Sequence, residues 1–284
     1  MIINPGRETF VHFPSSVLGN KYTLTVFLPE DAVPLSKRYP VVYLLGAGPK
    51  EAQQAQQFLL NNKALVVGIN FEEADYQNRA KIVEFISREL VPYIDTNYLT
   101  FTDDSARFIA AKGKSAALTA LELFAKPNLF GGVALASSAD AVETMVLPAG
   151  NVRVFVTGNQ TELAVAQKKL EWLGLTYGKD FAMLYAPSSA GLFDGLDFAY
   201  LYAADADVSL RSLKASANKT VLPLKGEDAA LLTVTARLNN GRRYAYVPVS
   251  LRMSPPYLDW NPLRGELTAL SGAEPGKVQI RGGV

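Results

Sequence analysis

The stretch RFIAAKGKSAALTALELF, Arg107 to Phe124, joins two apolar runs through a short segment of small and basic residues. The first run reads as a buried strand and the second as a helix, so the join is a strand–turn–helix. Two kinds of chemistry use that join. A phosphate cradle ends in Gly-Lys-Ser, as Gly113-Lys114-Ser115 does. A nucleophile elbow sets its serine between small residues, as Gly113 and Ala117 flank Ser115. The cradle needs its first glycine five residues before Gly113, and Phe108 stands there, inside the strand. The strand fills the span of the loop, and few N–H groups are left to curl round a phosphate. The elbow is the better reading.

Working outward, KYTLTVFLPED (21–31) alternates apolar and polar residues up to Pro29, as a half-exposed strand does. YPVVYLLGAG (39–48), ALVVGINF (64–71), FGGVALAS (130–137), VRVFVTG (152–158) and DFAMLYA (180–186) are continuous apolar runs. Such runs suit parallel strands buried on both faces. AKIVEFISRELVPYIDTNY (80–98) and ELAVAQKKLEWLGL (162–175) carry helical spacing between them. Strands alternating with helices predict an α/β fold with a mostly parallel sheet and helices on both faces. After about Ala215 the pattern changes to period two, and Asn239-Asn240-Gly241 marks a hairpin. ELTAL (266–270) and KVQIRGGV (277–284) supply further short strands. The expected division is residues 1–214 as the α/β unit and 215–284 as a small β-rich C-terminal domain or extension.

The 284 residues are 49% hydrophobic, with 28 basic and 27 acidic side chains and a formal charge of +1. This balance suits a packed core and argues against nucleic acid or an anionic membrane as partner. No apolar run is long enough to span a bilayer. Residues 1–7 lack the regions of a signal peptide, so the expected location is cytoplasmic, or exported with the leader removed. There is no cysteine, which excludes thiolate catalysis and zinc–sulfur sites, and no metal or cofactor is expected. The chain contains one histidine, His12, so any imidazole chemistry must use it.

The phrases YPVVYLLGAG, FISRELVPYIDTNY and LTALELFAKPNLFGGVALAS, in that order, resemble the esterase D/enterochelin-esterase-like branch of the α/β-hydrolases. That branch also includes feruloyl esterases and mycolyltransferases. The resemblance covers roughly Phe10 to Tyr202 and implies an α/β-hydrolase fold. It also implies a serine in a Gly-His-Ser-x-Gly-Gly elbow, and here the chain departs. Aligned on the helix, Lys114 falls on the nucleophile; aligned on Gly113, Ser115 keeps the serine in a shortened turn. The family's acid is implied about three residues past Gly158, where Thr161 and then Glu162 stand. Glu162 equally suits the N-terminus of a helix. The family's histidine is implied within PSSAGLFDGLDFAY (187–200), which has none. Asp194 and Asp197 lie there instead, and carboxylates are weak bases for an alcohol.

Without an imidazole the triad has no proton carrier. The expected function is therefore a non-catalytic, pseudo-esterase role in ligand or protein binding. The alternative is an atypical serine hydrolase using Ser115 with a base other than histidine. Gly46, Gly48, Lys112, Gly113, Lys114 and Ser115 form the candidate anion or ligand site, on the N–H groups of the elbow helix and the turn after the first buried strand. Simple turn glycines and solvent-exposed lysines account for the same residues. Tyr257 and Trp260, in the proline-rich RMSPPYLDWNPLRG (252–265), are candidate contacts for carbohydrate or protein; a buried junction accounts for them too. The β-region also offers a surface for an oligomer.

Overall fold

The computed structural model describes residues 8–28, 38–46, 64–136, 139–185, 210–224, 228–239, 241, 243–246, 251–261 and 265–282. An antiparallel pair, β1 (Glu8–Pro14) and β2 (Lys21–Phe27), leads into the parallel strands β3 (Val41–Leu45), β4 (Leu65–Ile69), β5 (Arg107–Lys112), β6 (Gly132–Ala136), β7 (Arg153–Gly158) and β8 (Phe181–Tyr185). Their order is β1-β2-β4-β3-β5-β6-β7-β8, with β2 antiparallel to β4 and every later neighbour parallel.

The continuous apolar runs follow from burial on both faces. Val41, Tyr43 and Leu45 belong to one core layer, and Val42 and Leu44 to the other. Ile109 and Ala111 alternate in the same way with Phe108 and Ala110 along β5. The described helices pack on the first face. The long one is made of α1 (Arg79–Phe85), a π turn (Ile86–Leu90) and α2 (Val91–Asn97). Pro92 has no N–H to continue the α-helical ladder, and the wider turn immediately before it absorbs that break. The helix buries Ile82, Phe85, Ile86, Leu90 and Ile94, the spacing visible in the sequence. It contributes Phe85 and Tyr93 to edge-on contacts with Phe13 of β1, at 5.7 and 4.9 Å. α3 (Lys114–Phe124) and α4 (Gln160–Trp172) complete that face.

Two polar knots hold this layer. Arg107, buried at the start of β5, donates to Asp95 at 2.8 Å, to the Leu129 carbonyl at 2.9 Å and to the Thr102 carbonyl at 3.0 Å. Glu89 accepts from the Ser15 hydroxyl at 2.6 Å and from the backbone N–H of Ser16 and Val17 at 3.0 and 3.2 Å. The Ser16 hydroxyl donates to it as well. Burial pushes the Glu89 carboxyl up, but these donors together hold it below its ordinary value.

The C-terminal strands, apart from one separate two-stranded sheet, join the same sheet. β9 (Leu210–Ala217) pairs with β10 (Ala229–Leu238), which turns back into β11 (Arg243–Tyr246) through the expected hairpin. β11 then pairs antiparallel with β8 through Ala245 and Met183. β14 (Glu266–Ala269) and β13 (Leu258–Asn261) extend the other end of β10, while β12 (Leu251–Ser254) pairs with β15 (Gln279–Gly282). Ala230, Leu232, Val234 and Ala236 of β10 are buried in the first core layer.

Candidate functional site

β5 runs to Lys112, α3 starts at Lys114, and Gly113 alone makes the turn, with φ +86° and ψ 157°. That backbone region is essentially restricted to glycine. The join therefore has no room for a phosphate-cradling loop, as the position of Phe108 implies. Its frame is tight: Gly113 N–H donates to the Ala136 carbonyl at 3.3 Å, and the Ala117 N–H to the Gly113 carbonyl at 2.9 Å. The end of β3 presses against it. A Cβ on Gly46, whose φ is +73°, would stand 2.9 Å from the Lys112 carbonyl oxygen and 3.9 Å from the Ala116 Cβ. Gly46, Ala116 and Ala117 are small because strand end, turn and helix meet there.

An elbow presents its nucleophile on the single residue between strand and helix. That residue is Gly113, one before Lys114 and two before Ser115. Lys114 and Ser115, which the two sequence registers set at the tip, are the first and second residues of the helix. A Cβ on Gly113 would have nothing within 4 Å among the described residues, and the tip carries no side chain.

The neighbouring candidates point elsewhere. Lys112 is half-buried at the end of β5. Lys114 is exposed, its Nζ 2.9 Å from Asp140 Oδ2, and that hydrogen bond raises its pKa. Ser115 lies in the first turn of α3, half-buried, and its hydroxyl donates to Oε1 of Glu73. Sequence reasoning missed Glu73. It sits in the turn after β4, 42 residues from Ser115, and the available signal was an acidic pair, Glu72-Glu73, just past a parallel strand. Loops after parallel strands converge at that edge of a sheet. Gly48, Asp194, Asp197 and all of PSSAGLFDGLDFAY lie outside the described residues.

At the acid position, Glu162 makes a capping box with Asn159: Glu162 N–H donates to Asn159 Oδ1 at 3.0 Å, and Asn159 N–H to Glu162 Oε2 at 3.2 Å. Thr161 is exposed. Gln160, between them, donates to the Leu232 carbonyl at 3.0 Å and so ties the start of α4 to β10. His12 lies on β1, exposed, with Nδ1 3.3 Å from the Thr23 hydroxyl. β1 is four strands from β5, or about 19 Å at ordinary strand spacing. Because His12 is the chain's one histidine, no other residue can bring an imidazole to the elbow.

Trp260 and Tyr257 do not stand on an exposed loop. Trp260 is in β13, opposite Leu267 of β14, and packs partly buried against the core. Tyr257 is half-buried, and its carbonyl accepts from Leu270 N–H at 2.9 Å. The prolines on either side of Leu258–Asn261 mask a strand that β14 pairs and covers. Among the described residues there is no cluster of three or more metal-ligating side chains, and no helix is long and apolar enough to cross a membrane.

The chain matches the family model described as Putative esterase over residues 15–172. Bacillus subtilis YjcH is 22% identical over 141 residues, 44% of this chain and 59% of that relative's length. An IroE-like serine hydrolase from Shewanella oneidensis shares the fold at TM-score 0.54 and 18% identity, over 69% of this chain and 80% of its own. FphF, a fluorophosphonate-binding serine hydrolase of Staphylococcus aureus, does so at TM-score 0.53 and 15% identity, over 71% and 99%. The family model spans more than half of the 284 residues and every element that builds the elbow, so the chain belongs to the esterase family of α/β-hydrolase-fold proteins.

Proposed function

We propose that this esterase-fold chain does not turn over esters and acts by binding a ligand or protein at the face around Gly46, Lys112 and Gly113. The observation that carries this reading is the glycine at the elbow tip. A serine hydrolase needs a hydroxyl there and a proton carrier beside it. Gly113 supplies no hydroxyl, and the chain's one imidazole is on the far edge of the sheet. The acid position supports the same reading, since both Glu162 and Asn159 are engaged in capping α4. What supports binding is the frame: a glycine turn after β3 and an elbow tip that no described residue covers, at the sheet edge where α/β proteins bind ligands.

Steady-state hydrolysis of p-nitrophenyl acetate tests this. Beyond the first equivalent of product, wild type is expected to release p-nitrophenol no faster than Ser115→Ala. Saturable turnover by wild type that Ser115→Ala abolishes would overturn the reading.

A further inference from the structure

We propose that the outer edge of β9, over residues 212–217, is a docking strand for an extended acidic polypeptide with carboxylates at every second residue. This goes beyond the binding reading, because it concerns the C-terminal strands and not the face around Gly113.

The backbone specifies a polypeptide. β9 pairs with β10 on one side, and no described residue bonds to its other side. Asn218 N–H donates to the Leu231 carbonyl at 3.0 Å, whereas Leu232 turns its own N–H away from β9, to the Gly265 carbonyl at 2.9 Å. Along an antiparallel pair these two arrangements alternate. With Ala217 opposite Leu232, Ala215 opposite Val234 and Leu213 opposite Ala236, the N–H and C=O groups of Leu213, Ala215 and Ala217 face outward. They are spaced to take an added strand. Ala215, Ser216 and Ala217 are exposed and small, so no bulky side chain shields them.

The charges specify an acidic partner. Lys214, Arg237 and Arg243 stand on one exposed face: Arg237 lies opposite both Ser212 and Arg243, and Lys214 lies opposite Thr235. None of the three has an ion pair among the described residues. By the same alternation Arg237 and Arg243 form a non-hydrogen-bonded pair, with Cα atoms about 4.5 Å apart at ordinary geometry, and like charges so placed repel. The acids of these strands sit toward the other end of β10, where Asp228 is held by Lys219 and Glu266 lies opposite Leu231. From residue 210 onward the sequence has eleven basic and five acidic side chains, in a chain whose net charge is +1. An added antiparallel strand sets its residue opposite Lys214 in the closer, non-hydrogen-bonded kind of pair, where a carboxylate meets the ammonium directly. Charges on an edge strand also guard against aggregation. Here they guard selectively: a second β9 brings the same positive charge and is repelled, and an acidic strand is drawn in.

The probe is a fluorescein-labelled peptide of alternating glutamate and threonine, of the length of β9, titrated with the full chain and read by fluorescence anisotropy. Wild type is expected to bind it saturably, one peptide per chain. A peptide of the same composition with its glutamates in one block should bind at least about tenfold more weakly, as should the alternating peptide to Lys214→Glu. Ala215→Pro removes an outward N–H and no bond to β10, a change that edge strands accept, and should weaken binding as much. Lys168→Glu, an exposed charge reversal on α4, should bind as wild type does. Thermal melts establish that each variant is folded, and Lys214→Glu carries the test without touching the backbone. Equal binding of the block peptide, or an equal loss in Lys168→Glu, would show charge acting without strand addition and overturn the proposal. A dimer in sedimentation that Ala215→Pro dissociates would overturn it too, since β9 would then be occupied by its own copy. So would the absence of saturable binding to wild type, which would leave the edge charges as guards alone.

Discussion

Two strand-to-helix joints stand on the same edge of the sheet and have fared differently. At β7–α4 the side chains are occupied with structure: Asn159 and Glu162 cap the helix, and Gln160 holds the Leu232 carbonyl of β10. At β5–α3 the turn residue has no side chain, the helix has no side-chain cap, and Lys114 and Ser115 bond outward to Asp140 and Glu73. One joint commits its side chains to folding; the other rests on the shape of its backbone. Shape alone is preserved where neighbouring backbone demands it.

That contrast predicts where substitution hurts. Around β5–α3 the sensitive residue should be one whose backbone is confined, and Gly46 is that residue. Alanine there must adopt a left-handed φ of +73° and place its Cβ 2.9 Å from the Lys112 carbonyl oxygen, a backbone atom that cannot swing aside. Left-handed strain and the forced shift of the β5 end together should cost about 2–3 kcal/mol. Urea unfolding of Gly46→Ala should show the midpoint fall with m unchanged. A midpoint within error of wild type would mean that the frame of the elbow is loose, and the contrast would lose its basis.

The β7–α4 joint should respond to loss of a side chain instead. Asn159→Ala removes the acceptor for Glu162 N–H and should cost about 1 kcal/mol, read as a lower Tm. Glu162→Gln keeps an oxygen for the Asn159 N–H and should be milder. If both were neutral, the capping box would not be what holds Glu162 in place, and its role as an acid would reopen.

The central layer was legible in the sequence because its signal is local. Runs such as YPVVYLLGAG and ALVVGINF are apolar throughout, and that follows directly from burial on both faces of β3 and β4. Asn239-Asn240-Gly241 likewise carried its own turn chemistry between β10 and β11. What was hidden depends on distance or on a single residue of register. Nothing in Lys112-Gly113-Lys114-Ser115 says where the strand stops; that is set by Ala136 and Gly46 on neighbouring strands. The Ser115–Glu73 contact joins residues from two crossovers. β13 was masked by the prolines around it, since its cover comes from β14.

The smallest effect expected is at the one ion pair of the elbow among the described residues. Lys114 and Asp140 approach to 2.9 Å, but their side chains are 70% and 48% exposed, and water screens them from each other. The hydrogen bond from Asp140 raises the lysine pKa, so whatever stability it carries is fully present below the unfolded-lysine value near 10.4. It is lost only as pH rises through the higher folded value. Neutral pH is thus where the pair is at its strongest, and even there Lys114→Gln and Asp140→Asn should leave Tm unchanged. The double variant should match each single one, and melts above pH 11 should not separate them from wild type. A loss in Lys114→Gln at pH 7 as large as that in Asn159→Ala, and absent at high pH, would show that β5–α3 does hold structural work in its side chains. The two joints would then differ in degree and not in kind.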